Sequence, residues 1–154
     1  MNLLAQFKPV KLFVFDVDGV LTDGSLLIFD NGEQARTMNI KDGYALQLAV
    51  KKGYKVLVIS GAQSTAVQIR LQKLGITDIE MGVQDKPAVL TRYLGAFGYS
   101  KEQVLFMGDD MPDYIPMQLT GLPCCPADAV AEIKQISHYI SPIAGGKGCA
   151  RDVI

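Results

Sequence analysis

The sequence predicts an α/β fold, a Rossmann-like parallel sheet sandwiched by helices with a β-hairpin insertion after the first strand, and three observations carry that prediction. Short unbroken apolar runs at residues 11–15, 55–59 (KVLVI) and 104–107 (VLFM) read as strands covered on both faces. Turn residues and then helical periodicity follow them, the order of repeated strand–helix units around a parallel sheet. One segment breaks the alternation, and it carries the signature of a hairpin.

Residues 11–15 form the first strand, and FDVDGVLTDG at 15–24 follows with three aspartates, Asp16, Asp18 and Asp23. Extended runs at 26–29 and 33–38 flank Asp30-Asn31-Gly32, and residues that tolerate positive φ between two such runs predict the hairpin. Residues 42–52 read as a helix stopped by Gly53. Residues 64–74 set Val67, Leu71 and Leu74 on one face before Gly75 ends the helix, and 87–97 make another with Pro87 in the first turn. Gly145-Gly146-Lys147-Gly148 reads as a flexible tail, and residues 151–154 as the start of a helix. There is no linker, internal repeat or low-complexity tract, so residues 1–154 read as a single domain, long enough to bury well over half of its unfolded surface.

Composition narrows the function. Apolar residues make up 49% of the chain, charged residues 20%, and the net charge is −1, so nothing favours a polyanion such as nucleic acid as partner. No apolar run approaches the ~20 residues of a membrane span. Residues 1–8 are too short, and lack the charged start, for a signal peptide, so the expected location is the cytoplasm. Cys124, Cys125 and Cys149 form neither an even disulfide framework nor a metal spacing with the single His138, and free thiols are expected. His138, in ISHYISP beside apolar neighbours, is not expected to be a catalytic base.

In an open parallel sheet ligands bind beyond the carboxyl ends of the strands. Asp16 and Asp18 follow the first strand, Ser60 and Gly61 the second, Lys86 precedes the third, and Gly108, Asp109, Asp110 and Asp113 come after it. Each has an ordinary reading when taken alone. A DxD is commonly a turn or cap, Ser60 an N-cap, Lys86 a solvated lysine, and GDDMPD a capped helix start. Four such segments in order, each at an expected strand end, argue for one site. Crowded carboxylates tolerate one another when a hard divalent cation lies between them, and Mg²⁺ takes one or two carboxylates plus phosphate and water. Asp16 and Asp18 can then approach a reacting atom from different sides, one attacking a phosphoryl group and the other moving protons. Lys86, the Ser60 hydroxyl and backbone N–H groups are suited to the charge on the equatorial oxygens.

DVDGVLTDG, then VISG, then a lone lysine before a helix, then GDDMPD, together resemble the haloacid dehalogenase superfamily of phosphohydrolases. More narrowly, FDNGE in the hairpin, MNIKDGYAL, RLQKLGI and GGKGCARDV resemble its small capless members, the 3-deoxy-D-manno-octulosonate 8-phosphate phosphatases, across nearly the whole chain. The resemblance implies the haloacid dehalogenase fold with no cap domain and a phosphomonoester hydrolase of lipopolysaccharide sugar biosynthesis. It implies Asp16 as nucleophile, Asp18 as general acid/base, and Mg²⁺ bound by the Asp16 carboxylate, the Asp18 backbone carbonyl and Asp109. Ser60 and Lys86 would hold the phosphoryl group, with Asp110 and Asp113 as supports. Asn39, Ile40, Lys41, Asp42, Gly43 and Gln47 would lie near the substrate, Arg70 would reach its carboxylate from a neighbouring subunit, and a homotetramer would close the pocket with its hairpins. The resemblance also implies a tail longer than this one.

Two departures remove positive charge from the expected cleft: Ala62 where related phosphatases often have Arg, and Gln47 where they often have Lys. Enzymes acting on nine-carbon sialic-type acid 9-phosphates often carry an acidic residue at the Ala62 position, which leans the expectation toward the eight-carbon substrate. A rival of another class is a phospho-accepting receiver domain, which also gathers acids, a hydroxyl and a lysine at a sheet edge. A receiver needs neither an Asp18 nor a hairpin. A non-catalytic binding module is disfavoured by the intact set Asp16, Asp18, Lys86 and Asp109.

Overall fold

The structure, a computed structural model, describes residues 2–154. In chain order it contains α1 (Leu3–Phe7), β1 (Leu12–Phe15), the hairpin strands β2 (Leu27–Ile28) and β3 (Gln34–Ala35), α2 (Ile40–Lys51), β4 (Lys55–Ile59), α3 (Thr65–Lys73), β5 (Asp78–Glu80) and α4 (Lys86–Phe97). There follow β6 (Val104–Met107), α5 (Tyr114–Gln118), β7 (Leu122–Cys125), α6 (Ala131–Ile136), β8 (Tyr139–Ile140) and α7 (Cys149–Val153). Six strands pair in parallel in the order β5-β4-β1-β6-β7-β8. The three strands expected from apolar runs are its centre.

Strand periodicity explains why those runs are apolar throughout. Phe13, Phe15, Val56, Val58, Leu105 and Met107 face one core, built with Leu46 and Ala49 of α2, Leu71 of α3 and Val153 of α7. Their neighbours Leu12, Val14, Leu57, Ile59, Val104 and Phe106 face a second core with Leu90 of α4, Met117 of α5 and Ile133 of α6. Alternate side chains point to opposite faces, so a strand covered on both sides must be apolar at every position. Each such side chain contributes about 1.5–3 kcal/mol when fully buried.

The chain steps outward from β1 through β4 to β5, then returns to β6 on the other side of β1. That reversal splays the loops beyond the carboxyl ends of β1 and its neighbours, leaving a crevice at the switch point. Helix starts set how those loops close. Asn39 accepts from the N–H groups of Lys41 (2.8 Å) and Asp42 (3.3 Å), so α2 starts at Ile40, two residues before the expected boundary.

The hairpin forms, but with two residues per strand rather than the longer runs expected: Leu27 pairs with Ala35 and Ile28 with Gln34. Its turn closes with Gly32 N–H donating to Phe29 O (2.9 Å) and Phe29 N–H to Glu33 O (2.8 Å). Only Gly32 takes positive φ (+86°); Asp30 and Asn31 do not, the pattern of a three-residue loop ending in a glycine bulge.

Two further corrections concern segments poor in apolar signal. Residues 145–148 are not a flexible tail. Gly145 is buried and donates its N–H to Asp128 Oδ1 (2.9 Å), Gly146 N–H donates to Val20 O (2.9 Å), and the Cys149 thiol donates to Val20 O (3.2 Å). A Cβ on Gly145 would collide with the backbone carbonyl of Gly19, so glycine is what allows the close approach. The outer strands β5, β7 and β8 were hidden by polar or cyclic residues, notably Pro123 inside β7. Its carbonyl faces the β8 side, accepting from His138 N (2.8 Å), so the missing N–H points past the start of that two-residue edge strand.

Cys124, Cys125 and Cys149 are buried free thiols, and burial pushes the last up to about 12. His138 is exposed and meets Gln6 Oε1 (2.8 Å), away from the crevice. No helix among the described residues is long and apolar enough to cross a membrane.

Candidate active site

The first loop turns its backbone inside out to present two carboxylates. Asp16 ends β1 and accepts from its own neighbour, Val17 N–H, at Oδ1 (2.8 Å). The chain then winds through a wide turn over Val17–Leu21, in which Asp18 is extended (φ −69°, ψ 122°) and Gly19 takes φ +87°. Any side chain at Gly19 would also collide with the Asp109 carboxylate, so this glycine permits both the reversal and the approach of the acid. The Thr22 hydroxyl accepts from Gly19 N–H (3.3 Å) and Gly24 N–H (3.2 Å), tying the loop shut. Asp23, the third aspartate, is exposed and accepts from Ser25 N–H (2.8 Å), which makes it a turn former rather than a member of the cluster.

Three other loops converge on it. Ser60, after β4, is buried and accepts from Ala62 N–H (3.2 Å). Lys86, the first residue of α4, is only 4% exposed, and its Nζ donates to Asp16 Oδ1 (3.1 Å) and Asp113 Oδ1 (2.7 Å). Asp113, in the single turn Met111–Asp113 after β6, also accepts from Asp109 N–H at Oδ2 (3.1 Å). Asp110 is exposed and holds that turn by accepting from Met111 N–H (2.7 Å). Asp110 thus holds the turn, while the buried Asp113 holds both the loop and Lys86.

Asp16, Asp109 and Asp113 each place an oxygen within 4.8 Å of the others, with one ammonium among three carboxylates. The imbalance shows in the proton affinities. Burial, and then the charge of Asp113, hold the Asp16 carboxyl well above the usual range against the opposing pull of Lys86. Burial and Asp113 push Asp109 up to about 7. Burial alone would lower Lys86, but its two carboxylate partners outweigh that and raise it. The cluster lacks positive charge, and its one orphan is Asp109 Oδ1, buried without a hydrogen-bond partner among the described residues. Hard oxygen donors around a charge deficit fit a cation such as Mg²⁺.

The crevice encloses about 450 Å³, lined by Asp16, Asp18, Ser60, Lys86, Asp109 and Asp113, and also by Gly24, Ala62 and Gln84. Asn39, Ile40, Lys41, Asp42, Gly43, Gln47 and Arg70 do not line it within one chain. Asn39 caps α2, and Ile40 and Lys41 are exposed beside it. Asp42 is buried and accepts from Arg151 N–H (2.9 Å), fixing α7 onto α2, with burial raising its carboxyl. The Arg70 guanidinium packs over Gly43 and lines a separate cleft beside the hairpin with Arg36 and Ser64. Gln47 is half-buried on α2.

Sequence reasoning did not find Arg36. Its guanidinium donates to both carboxylate oxygens of Asp18, Nε to Oδ1 at 2.7 Å and Nη2 to Oδ2 at 3.3 Å. It missed Thr22 and the glycine buttress at 145–146 as well. Each acts through a contact that local sequence does not announce.

No protein-family model matches the chain. It is 33% identical, over 99% of its length and 81% of the relative's, to the 3-deoxy-D-manno-octulosonate 8-phosphate phosphatase KdsC of Escherichia coli K12. Among solved structures it is similar to the 3-deoxy-D-manno-octulosonate 8-phosphate phosphatase of Moraxella catarrhalis in complex with magnesium ion, phosphate ion and KDO. There the TM-score is 0.95 at 30% identity, covering 99% of this chain and 87% of that one. A Legionella pneumophila protein assigned to the haloacid dehalogenase superfamily, subfamily III A, gives a TM-score of 0.95 at 32% identity, covering 98% and 83%.

Proposed function

The chain belongs to the 3-deoxy-D-manno-octulosonate 8-phosphate phosphatase family of the haloacid dehalogenase superfamily, and we propose that it is a Mg²⁺-dependent phosphatase acting on that eight-carbon keto-deoxy sugar acid phosphate, in lipopolysaccharide sugar biosynthesis. The observation that carries this reading is the convergence of the Asp16, Asp109 and Asp113 carboxylates with Lys86, in a cluster where Asp109 Oδ1 is buried without a partner among the described residues.

Asp16, Asp109 and the backbone carbonyl of Asp18 would hold Mg²⁺, which when bound supplies the positive charge the cluster lacks and neutralises charge on the phosphoryl group. Both hydrogen bonds that Asp16 receives go to Oδ1, which leaves Oδ2 as the attacking atom. As the new P–O bond forms, the ester P–O bond breaks, and Asp18 delivers a proton to the departing alkoxide. Asp18 then takes a proton from a water that attacks phosphorus and breaks the bond to Asp16, releasing phosphate and restoring the Asp16 carboxylate and the protonated Asp18. Lys86 and the Ser60 hydroxyl hold the equatorial oxygens during both transfers. Lys86 keeps its geometry through Asp113.

The substrate's sugar acid end extends beyond this chain's own crevice. The start of α2 and Arg70 lie elsewhere in the same subunit, and the hairpin exposes Leu27 and Ile28 at 63% and 64%. A homotetramer in which these surfaces complete a neighbour's pocket accounts for both facts, and excludes water where no cap domain does.

Phosphate release measured over a panel of phosphorylated keto acids, with Mg²⁺ and again with chelator, tests the reading. The eight-carbon 8-phosphate should lead, with activity lost on chelation. A nine-carbon sialic-type 9-phosphate in the lead would change the substrate and keep the mechanism. Activity indifferent to chelator would overturn the metal assignment. A stable phosphoprotein that does not turn over would favour a receiver-like domain.

A further inference from the structure

The hairpin is the least embedded part of the molecule, yet it carries one of the most buried charged side chains. Arg36 follows β3 directly, and its side chain is 3% exposed although every large apolar residue of β2 and its flanks is open to solvent. Among the described residues its only salt bridge is with Asp18, made in the two-pronged geometry that a planar guanidinium offers a carboxylate. The partner side chain is 36% exposed and borders the crevice. Among the described residues Asp18 receives no other side-chain hydrogen bond, and the adjacent Gly19 gives its backbone unusual freedom.

We propose that Arg36 is a positioning residue for the reaction, holding the Asp18 carboxylate at the angle from which it serves the leaving group. The proposal rests on the reading of Asp18 as general acid/base. Two bonds to two oxygens fix both the χ1 and χ2 of a side chain on a glycine-hinged loop, a constraint that one bond would not impose. Misplacement by about an ångström costs on the order of a hundredfold in rate where orientation matters. The same pair also fastens the hairpin to the site. Placement of the hairpin and readiness of the acid are thus one structural event.

Leaving-group dependence separates positioning from mere support. A p-nitrophenolate departs without a proton, whereas the alkoxide of a sugar phosphate needs one. The values of kcat/KM for p-nitrophenyl phosphate and for a small sugar phosphate without the acid end, which does not reach the hairpin surface, are compared in Arg36→Met, Arg36→Lys and Asp18→Asn, since kcat/KM reports transfer to the nucleophile and not the later hydrolysis. Arg36→Met should lower the sugar phosphate value at least tenfold more than the aryl value, and Arg36→Lys, with charge but no fork, should fall between it and the native protein. Equal losses on both substrates, or none on either, overturn the proposal. Asp18→Asn is the control for the underlying reading. If it abolishes selectively the sugar phosphate reaction while Arg36→Met does not, positioning fails and the acid/base reading stands. If Asp18→Asn leaves the sugar phosphate value unchanged, the acid/base reading itself fails.

Discussion

Two cations grip two carboxylates of the same loop, and they do so from opposite kinds of structure. Lys86 reaches Asp16 from the first turn of a twelve-residue helix packed on the sheet, and all three groups of the Lys86, Asp16 and Asp113 set are buried. Arg36 reaches Asp18 from a hairpin of two-residue strands whose apolar side chains lie open. Asp16, the proposed nucleophile, is therefore fixed by the core. Asp18, the proposed acid/base, is fixed by a peripheral piece whose own placement depends on little within the chain. An attacking atom must hold still against phosphorus, whereas a group that gives and then takes a proton must meet two different partners, and each arrangement suits its task.

The largest effect should come from breaking the deep pair. Lys86→Met removes the sole ammonium among three carboxylates, so buried charges are left uncompensated, at a cost of about 3–5 kcal/mol in stability. Denaturant titration without metal should show that loss, and turnover should fall at least a hundredfold. If stability were unchanged, the carboxylates would be neutralising one another by sharing protons.

Metal should sharpen the contrast through pH. The Asp109 carboxyl is raised by burial and by Asp113 to about 7, and Asp16 is also raised. A raised carboxyl means that the ionised form destabilises the fold, so the Asp109 contribution to metal-free stability is present at low pH, is lost as pH rises from the ordinary carboxylate range through about 7, and changes no further above that. Mg²⁺ needs the ionised forms and competes with those protons. The rise in Tm on adding Mg²⁺ should accordingly be larger at pH 8 than at pH 5.5. An equal rise at both would show that binding does not engage these two acids.

The smallest effect on the isolated fold should come from the hairpin surface. Ile28→Asp changes an exposed residue, so chain stability should move within about 0.5 kcal/mol. Assembly measured by ultracentrifugation should weaken, and hydrolysis of the sugar acid phosphate with it. A fully active monomer would break the comparison, because the hairpin would then need no neighbour.

The parts legible in sequence are those in which residue type and local spacing carry the physics. The apolar runs at β1, β4 and β6 declared buried strands, and Asp16, Ser60, Lys86 and Asp109 were legible because strand ends on a parallel sheet share an edge. Asp113 was read as a support, and it accepts from Lys86 Nζ and from Asp109 N–H. The rest was hidden for identifiable reasons. Pro123 masked β7, Asp78 and Glu80 masked β5, and glycines that normally signal mobility at 145–148 were required by a close approach to Gly19. Asp42 sits beside glycine in a segment that resembles a substrate loop, but its carboxylate caps α7.

What the sequence determined by itself was the fold and the acidic edge, since both follow from hydrophobic periodicity and from where polar residues interrupt it. Only the tertiary structure decided which cation faces which carboxylate, which oxygen of Asp109 lacks a partner, and that Arg36 belongs to Asp18, eighteen residues away. Those are long-range contacts of single side chains. Their energies depend on burial and angle, and neither burial nor angle is written in local spacing.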